Sequence, residues 1–510
     1  MALPFPCRQW PGVEEDFNFP AAASPRLPSP GKARSNGRVT ITFSAKPDAK
    51  STSVRFFTTG QRNSLPAGIT RAELSLKPNS RIFHHAENTL CIGLGDAADI
   101  KADTIRRAAG TAGKALRQAG RHRISLHLGE HAAHTGAAVE GLLLGDFLFE
   151  DFKDEKTAGL ARVTVVVPGA QLATARRAGA RAKTVAEMAN LARRIANQPG
   201  NIVHPAALAE LAQWHARHSG LRCTVLDEKK LRAGKFGGIL AVGTGSDRPP
   251  RLIIIEHRGG KKGEAPIALV GKAVTFDTGG ISIKPAADME KMIWDKCGGT
   301  AVLGAILAIA KLGIRRNVVA LIPAAENMPG SRAYRPGDIV TCHDGKKVEV
   351  VNTDAEGRMI LADAIAYARK TLKARTIIDV ATLTGACGVA LGEFTAGLWS
   401  SRSGVATKVL EAAEAAGEQV WLMPHYPEYD TQIRSDFALV KNSGGRLGGA
   451  CTAAAFLRTF AGDTPWAHLD IAYPARMDRD LPWVTRGATG FAVRTLVNFV
   501  EAAKAGGTWG

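Results

Sequence analysis

Two segments of this 510-residue chain hold carboxylates and cations at short spacings. The first segment contains, among its charged residues and in chain order, Lys272, Asp277, Lys284 and Asp295. The second segment is NTDAEGR at 352–358, in which Asp354 and Glu356 stand two residues apart. In an extended segment two such side chains share one face. Carboxylates held together repel each other unless a cation or a shared proton relieves them.

If the two segments meet in the fold, four carboxylates converge: Asp277, Asp295, Asp354 and Glu356. Arg358 can supply positive charge nearby, but no single side chain offsets that repulsion, whereas two divalent ions would. In aminopeptidases and phosphatases, metals roughly 3.5–4 Å apart activate a shared water and clamp the reacting group. Oxygen-rich ligand sets accept zinc, manganese or magnesium, so the metal identity stays open. The pattern predicts a hydrolase site with two divalent metals.

Each residue taken alone has a plainer interpretation. An Asp after a strand is usually a turn former or a helix cap, and Asp354 could cap the helix that follows it. Arg358 could pair with Glu356 at the surface. Asp277 and Asp295 could be ordinary loop residues. Taken together, at these spacings, the residues favour a metal site.

Two other motifs compete with this interpretation. Asp277-Thr278-Gly279 spells the DTG triplet of aspartic proteases, but that mechanism needs a second such Asp, and the sequence has no second DTG or DSG. Glycines 444, 445, 448 and 449 around Arg446 resemble a phosphate loop. No GxxxxGK[ST] pattern or dinucleotide fingerprint accompanies them.

The elements that must position these residues alternate between strands and helices. The predicted strands are GILAVG (238–243), RLIIIEH (251–257), IALVG (267–271), NVVALIPA (317–324), TIIDVATL (376–383) and AHLDIA (467–472). Helices are predicted at 299–312, 359–373 and 450–461. Nearly continuous apolar strands separated by helices indicate a sheet covered on both faces. Ligands of such sheets bind beyond the carboxyl ends of the strands, where the charged segments begin.

The whole chain is predicted to be an α/β protein with four parts. Residues 1–37, rich in Pro, Ser, Ala and Gly, are expected to be a disordered tail. Residues 38–171 form a smaller N-terminal α/β domain, with strands at VTITFSA and VTVVVPG and a helix at 102–118. Residues 172–198 form a linker helix, which Pro199 and Gly200 end. Residues 199–510 form a larger C-terminal catalytic domain with a mixed, mostly parallel sheet flanked by helices.

The composition restricts the class of protein. With 45% apolar and 22% charged residues, the chain is globular and long enough for two domains. Its seven cysteines are scattered without a CxxC pair, which argues against a disulfide framework or a thiolate zinc site. The first residues lack the apolar stretch of a secretory signal, and the longest apolar run, 301–310, is too short to span a membrane. We expect a cytoplasmic protein without a membrane partner.

The motifs resemble a known family. NTDAEGR at 352–358 and VGKAVTFDTGGISIKP at 270–285 are similar to signatures of the leucyl aminopeptidase (cytosol aminopeptidase) family. Flanking segments that agree are ARRIANQPGNIVHP (192–205), PAAENMPGSRAYRPGD (323–338), DVATLTGA (379–386) and HLDIA (468–472). The resemblance covers 180–500 and implies a dinuclear metallo-exopeptidase. It would hydrolyse the N-terminal bond of peptides with a free α-amino group, using a water activated by two metals, and assemble as a homohexamer.

The resemblance also implies a role for each site residue. The tighter metal site would use Lys272, Asp277, Asp295 and Glu356. The more exchangeable site would use Asp277, Glu356 and both the side chain and the backbone carbonyl of Asp354. A lysine ligand must be neutral, and burial beside two cations can depress its pKa enough. The substrate amine would bind the tighter metal, assisted by Asp295.

Further residues are implied to act on the substrate. Lys284 would stabilise the tetrahedral oxyanion, and Arg358 would hold a bicarbonate that shuttles a proton. Positions that match the family's side-chain pocket are Met292, Thr382 and Gly385. The chain departs from the family pattern at Ala273, at Trp294 and Lys296 beside Asp295, and at Tyr473, which leaves the residue preference open.

Two alternative functions are also consistent with features of this sequence. The net charge is +19, and the basic excess is denser in the first 200 residues. This charge could serve a DNA-binding architectural role, which some family members combine with peptidase activity. No long run of Lys and Arg strengthens that alternative. A dinuclear phosphoesterase would use the same kind of metal site.

Overall fold

The computed structural model describes residues 39–503, in which two large β-sheets are surrounded by helices. The strands are β1 (Thr40–Ser44), β2 (Thr52–Thr58), β3 (Arg81–His84), β4 (Thr89–Gly95), β5 (Arg123–His127), β6 (Arg162–Val166), β7 (Arg222–Leu226), β8 (Arg251–Arg258), β9 (Ile267–Gly271), β10 (Ala273–Asp277), β11 (Asn317–Asn327), β12 (Ile339–Thr341), β13 (Lys347–Glu349), β14 (Thr376–Ala381), β15 (Thr395–Ser400), β16 (Gln419–Leu422), β17 (Val440–Lys441), β18 (Trp466–Asp470), β19 (Arg476–Met477) and β20 (Gly487–Ala488). The predicted disordered tail, 1–37, lies outside the described residues.

The helices connect these strands and cover the sheets. They are α1 (Ala102–Gln118), α2 (Thr135–Asp146), α3 (Leu172–Ala196), α4 (Pro205–His218), α5 (Glu228–Ala233), α6 (Gly237–Gly243), α7 (Cys297–Lys311), α8 (Glu356–Lys370), α9 (Gly385–Leu391), α10 (Ser403–Ala416), α11 (Pro427–Gln432), α12 (Gly449–Ala461) and α13 (Val493–Ala502). The helices predicted at 299–312, 359–373 and 450–461 correspond to α7, α8 and α12.

The first sheet has the strand order β1-β6-β5-β2-β4-β3. It is parallel except for β3, which pairs antiparallel with β4 at one edge. In α1, Ile105, Ala109, Ala112 and Leu116 are buried at helical intervals. They share one hydrophobic core with apolar residues of β5 and β6.

The second sheet is larger and holds the strands that lead to the charged segments. Its order is β16-β15-β18-β14-β9-β11-β8-β7, and β10 also pairs with β11. Strands β18, β14, β9, β11 and β10 run parallel, whereas β15, β8 and β7 introduce antiparallel pairs. Every residue of β9 and β14 is buried, and α7 and α8 pack against both strands. The predicted α/β class with a mixed, mostly parallel sheet is confirmed.

Helix α3 contacts helices that precede it and helices that follow it in the chain. It packs against α2 and also against α7 and α13. Val185, Met188, Leu191 and Ile195 recur along it at intervals of three and four residues, which places them on one face. Val185 and Ile195 are buried, and Met188 and Leu191 are half-buried. The helix ends at Ala196, before Pro199 and Gly200.

The predicted strand at 238–243 is wrong, because those residues form α6. A short apolar run has no period that separates a buried strand from a buried helix. The helix packs closely on its neighbours: a Cβ at Gly237 would lie 2.0 Å from the Thr341 carbonyl oxygen, and one at Gly238 would lie 2.3 Å from that of Met359. Glycine therefore permits a contact that the apolar pattern does not reveal.

One segment, Met289–Lys311, is long and apolar enough to cross a membrane by composition, but most of it is buried inside the protein. It contains a 3₁₀ helix at Met289–Trp294 and then α7. Helix α7 packs against β9, β11 and β14. Its apolar character is therefore explained by its place in the core.

Candidate active site

The predicted site residues follow the carboxyl ends of parallel strands. Lys272 comes directly after β9, Asp277 is the last residue of β10, and Thr382 comes directly after β14. Because these strands run parallel, their ends meet at one edge of the sheet. A cavity of about 840 Å³ lies there. All ten predicted residues line it: Lys272, Asp277, Lys284, Met292, Asp295, Asp354, Glu356, Arg358, Thr382 and Gly385.

Three of the four predicted carboxylates form one group. Asp277, Asp354 and Glu356 each offer an oxygen within 4.8 Å of the other two. Asp295 joins them through a shared cation, because Lys272 Nζ lies 2.7 Å from both Asp295 Oδ1 and Glu356 Oε1. The two charged segments therefore meet as the sequence predicts.

A second lysine bridges the remaining carboxylates. Lys284 Nζ lies 2.8 Å from Asp277 Oδ2 and also pairs with Asp354. The Lys284 side chain is 21% exposed, whereas that of Lys272 is 3% exposed. Lys284 thus reaches into the cavity from its rim, and Lys272 lies beneath the carboxylates.

The carboxylates strongly perturb one another. Burial raises the pKa of Asp295 to about 8. Repulsion from Glu356 and Asp277 acts in the same direction, and attraction by Lys272 opposes it. Burial and repulsion from Glu356 likewise raise the pKa of Asp354 to about 6, although Lys284 opposes the shift. Burial lowers the pKa of Lys272, but Asp295 and Glu356 outweigh it and hold that pKa above its ordinary value. The site therefore carries excess negative charge that protein cations only partly offset.

These residues fit divalent metal ions. Carboxylate oxygens from three separate side chains lie close enough to share an ion. Asp295 Oδ2 is buried and has no hydrogen-bond partner among the described residues. A buried acceptor without a donor calls for a ligand. An ion at this point would relieve the repulsion that, together with burial, raises the pKa values of Asp295 and Asp354.

The turn at 352–355 differs from the extended segment that was predicted. Asn352 Oδ1 accepts a hydrogen bond from the Asp354 amide at 2.9 Å, and α8 begins at Glu356. The two carboxylates therefore meet through a turn and not through strand alternation. Asp354 does not cap α8, since the N-cap is Ala355 without a side-chain cap. Arg358 is not a surface residue, because it is only 7% exposed.

Hydrogen bonds join this turn to the loop that follows β10. The amide of Ser282 donates to Thr353 Oγ1 at 2.8 Å, and the amide of Thr353 donates to Ser282 Oγ at 3.1 Å. Thr353 Oγ1 also donates to the Gly279 carbonyl at 2.6 Å. Gly279 has φ +87°, and a Cβ there would lie 2.4 Å from the Ser282 carbonyl oxygen. The DTG triplet therefore forms a tight turn in an α/β fold.

Sequence reasoning missed Asn327, a fully buried residue at the end of β11. Its Nδ2 donates to Asp277 Oδ1 at 2.8 Å and to the Thr353 carbonyl at 3.1 Å. Tyr334 donates its hydroxyl to the same carbonyl at 2.8 Å. Asn327 thus orients one carboxylate and the turn that carries another. No pattern of charge or spacing marks it in the sequence, because β10 and β11 become neighbours only in the folded sheet.

Asn442 was missed as well. Its Oδ1 accepts hydrogen bonds from the amides of Val351 and Asn352, and its Nδ2 donates to the Asn352 carbonyl at 2.7 Å. Its backbone carbonyl accepts a hydrogen bond from Arg358 Nη1 at 2.8 Å. Arg358 Nε is buried without a partner among the described residues. No sequence spacing indicates Asn442, because it acts from a distant loop.

The residues beside Asp295 anchor its turn to the end of α3. Trp294 Nε1 donates to Asn197 Oδ1 at 2.8 Å, and Lys296 Nζ donates to the Gln198 carbonyl at 2.7 Å. Burial lowers the pKa of the Lys296 ammonium to about 8. Thr382 holds the carboxylate itself, because its Oγ1 donates to Asp295 Oδ1 at 2.7 Å.

Comparison with family models finds two matches. Residues 190–497 match the catalytic domain of the cytosol aminopeptidase family, and residues 78–156 match the N-terminal domain of that family. A probable cytosol aminopeptidase of Geotalea uraniireducens is 43% identical over 427 residues, which is 82% of this chain and 86% of that protein. One from Roseiflexus castenholzii is 46% identical over 423 residues, or 81% and 86% of the two chains.

Solved structures are similar too. The bottromycin maturation enzyme BotP superposes with a TM-score of 0.81 at 34% identity, covering 89% of this chain and 99% of BotP. BotP in complex with Mn superposes with a TM-score of 0.79 at 32% identity, covering 91% of this chain and 99% of that one. None of these matches supports DNA binding, which stays a prediction from charge alone.

Proposed function

This chain belongs to the cytosol aminopeptidase family and is a metal-dependent aminopeptidase, and we propose that it acts through two divalent ions held by the carboxylate group of its large cavity. It would hydrolyse the N-terminal bond of peptides that have a free α-amino group. The observation that carries this proposal is the meeting of Asp277, Asp354 and Glu356 oxygens within 4.8 Å. Such a group is stable only with bound cations or protons.

We assign the ligands as follows. The tighter site uses Lys272, Asp277, Asp295 and Glu356, and the more exchangeable site uses Asp277, Asp354 and Glu356. The 2.7 Å contacts from Lys272 to Asp295 and Glu356 support the first set. Zinc or manganese is proposed in preference to magnesium, since a nitrogen ligand suits the first two better. When bound, the ions supply Lewis acidity toward the peptide carbonyl and a water of lowered pKa.

Two cationic side chains act on the substrate. Lys284 carries its ammonium at the rim of the carboxylate group, where it can donate hydrogen bonds to the oxygen that becomes negative as the peptide carbonyl is attacked. Arg358 has a buried, unpartnered Nε beside the cavity. A guanidinium edge of this kind suits a small planar anion, and bicarbonate, which can accept a proton, is the one proposed.

Selectivity for the chain terminus would follow from Asp295. Its Oδ2 has no hydrogen-bond partner among the described residues, so it can accept a hydrogen bond from a substrate amine that would bind the tighter metal. An internal peptide bond offers no such amine. Met292, Thr382 and Gly385 line the same cavity and would contact the N-terminal side chain.

A substrate panel tests this proposal. Purified protein would be assayed with leucine p-nitroanilide, its N-acetylated form and p-nitrophenyl phosphate, each with and without EDTA. We expect cleavage of the free aminoacyl substrate alone, loss of that activity with EDTA, and recovery with Mn²⁺. Cleavage of the phosphate ester alone would instead support a dinuclear phosphoesterase and end the peptidase proposal.

Assembly and location are proposed from the family. Membership of the family implies a homohexamer and a cytoplasmic location, and we propose both. The matched relatives carry the word cytosol in their names. Sedimentation of the purified protein at several concentrations tests the hexamer, because a stable monomer or dimer would contradict it.

A further inference from the structure

The charged lining of the cavity divides into two regions. The central region holds the four carboxylates together with Lys272, Lys284 and Arg358. Outside it, the charged residues that line the cavity are all cations: Lys291, Arg446 and Arg476. Among residues 39–503, no further carboxylate lines the cavity. The outer region therefore presents positive charge to a substrate.

Arg476 lines the cavity beside Trp294, the residue that precedes Asp295. Its guanidinium lies 5.6 Å from the centroid of the Trp294 ring, which its hydrogen bond to Asn197 holds in place. The ion partner of Arg476 is Asp478, whose Oδ1 lies 3.4 Å from Nε, which is a long contact. A guanidinium has five N–H donors. The remaining donors of Arg476 have no side-chain acceptor in the part of the chain that the structure describes.

Lys291 supports the same positive region. It pairs with Asp288 at 2.9 Å and with Asp478 at 3.1 Å. The side chains of Asp288 and Asp478 are 71% and 46% exposed, whereas those of Lys291 and Arg476 are 18% and 17% exposed. The carboxylates of Asp288 and Asp478 thus face solvent, and the cations of Lys291 and Arg476 face the cavity. The low exposure of these two cations strengthens their electrostatic field there.

The surrounding wall is apolar and aromatic. Met292, Ala386, Val389 and Tyr473 line the same cavity as Lys291 and Arg476. Tyr473 packs directly on Gly388, where a Cβ would lie 1.9 Å from the tyrosine ring. A cavity that combines apolar walls with a guanidinium suits a side chain with a short aliphatic stem and a charged acceptor at its tip.

Resting on the proposed function, we propose that the pocket for the N-terminal side chain selects acidic residues, and that Arg476 is the residue that determines this specificity. A glutamate side chain would place its carboxylate against the free guanidinium donors while its methylenes contact the apolar wall. A leucine side chain would cover the same donors without satisfying them, which costs binding free energy. N-terminal lysine would meet the like charges of Arg476 and Lys291.

A comparison of glutamyl and glutaminyl substrates isolates the contribution of the substrate's negative charge, because the two side chains have nearly the same size and shape. Both would be assayed as p-nitroanilides with manganese-loaded enzyme, with the leucyl and lysyl compounds alongside. We expect kcat/KM for the glutamyl substrate to exceed that for the glutaminyl one by roughly tenfold or more, which is the size of a charged hydrogen bond. The lysyl substrate should be the poorest.

Substitutions at Arg476 connect the preference to the residue. In Arg476→Leu the glutamyl-to-glutaminyl ratio should fall to about one or below, and Arg476→Lys should retain part of it. The matched control is Arg479→Leu, because Arg479 lies on the same segment, pairs with Glu393 and does not line the cavity. Its ratio should equal that of the unaltered enzyme. A ratio measured within one preparation does not depend on the fraction of folded protein.

The outcomes separate this inference from the proposed function. If leucine p-nitroanilide is cleaved but the glutamyl-to-glutaminyl ratio is near one, or is the same in Arg476→Leu, the acidic pocket is refuted and the aminopeptidase proposal stands. If no aminoacyl substrate is cleaved with manganese present, the proposed function itself fails.

Discussion

Lys272 Nζ lies 2.7 Å from Glu356 Oε1, with the two side chains only 3% and 2% exposed. The contact requires the glycine that follows Glu356. A Cβ at Gly357 would lie 2.7 Å from Lys272 Cδ and Cε. One carboxylate at the first turn of α8 is thereby held against a buried amine at the end of β9. In our account both groups would hold the same metal ion in the active enzyme.

Glu356→Gln should abolish activity and leave the fold intact, because the amide keeps the volume of the carboxylate and loses its charge. We expect kcat/KM on leucine p-nitroanilide to fall by at least about a hundredfold, since a bridging ligand is lost. The circular dichroism spectrum should be unchanged. An active variant with full metal content would show that Glu356 does not bridge.

Metal removal should destabilise the folded protein as well as inactivate it. Ions that bind only the folded state stabilise it by about 2.7 kcal/mol at a hundredfold excess over Kd. Calorimetry should therefore show a lower melting temperature after EDTA treatment and a recovery with Mn²⁺. Glu356→Gln is the control, because its melting temperature should respond much less. If the melting temperature of the unaltered protein does not change when metal is removed, that result would argue against the proposed metal site.

The sequence predicted the elements that lead to the site, because β8, β9, β11, β14 and β18 coincide with the apolar runs that were predicted to be strands. It failed at 238–243, where a short apolar run forms helix α6. It also failed at Asp354 and Glu356, which meet through a turn. The two carboxylates do meet, but not because they alternate along an extended segment as predicted. Local spacing does not show where a helix begins.

Asn327→Ala should weaken metal binding although Asn327 is not itself an assigned ligand. The residue holds Asp277 Oδ1 at 2.8 Å, and loss of such a partner typically costs 10–100-fold in metal affinity. Titration with Mn²⁺, followed by activity, measures the change. The control is Asn317→Ala at the opposite end of β11, where Nδ2 donates to the carbonyls of Lys261 and Glu264. Equal effects of the two substitutions would indicate general destabilisation.

Asn327 and Asn442 could not be predicted, because a buried amide that orients another residue leaves no pattern of charge or spacing. Its role depends on which strands become neighbours, and β10 pairs with β11 only in the folded sheet. The ten residues taken from motifs, by contrast, all line one cavity. Sequence motifs therefore indicate the residues that contact ligands more clearly than the residues that position those ligand-binding side chains.

His215 should make stability depend on pH independently of the metals. Burial, with repulsion from His218 and Lys311, lowers the pKa of His215 to about 4. The unfolded chain has a histidine pKa near 6.5, so between about pH 6.5 and 4 it binds a proton that the folded protein excludes. The stabilising contribution is present above pH 6.5 and is lost as the pH falls.

His215→Phe should therefore show a smaller drop in melting temperature between pH 7 and pH 5 than the unaltered protein. Phenylalanine keeps a ring against Trp214, whose ring centroid lies 4.7 Å from that of His215. Both proteins would be measured in EDTA so that metal binding does not contribute. An identical drop in the two proteins would show that His215 is protonated equally in the folded and unfolded states.

The central claim is that carboxylates from separate loops share a pair of divalent ions. Anomalous diffraction from crystals of the manganese-loaded protein tests it most directly, because it locates each ion. We predict two peaks per chain, one beside Lys272 and Asp295 and one beside Asp354, with Asp277 and Glu356 between them. No peak in this cavity, from protein that is active in the same buffer, would contradict the account.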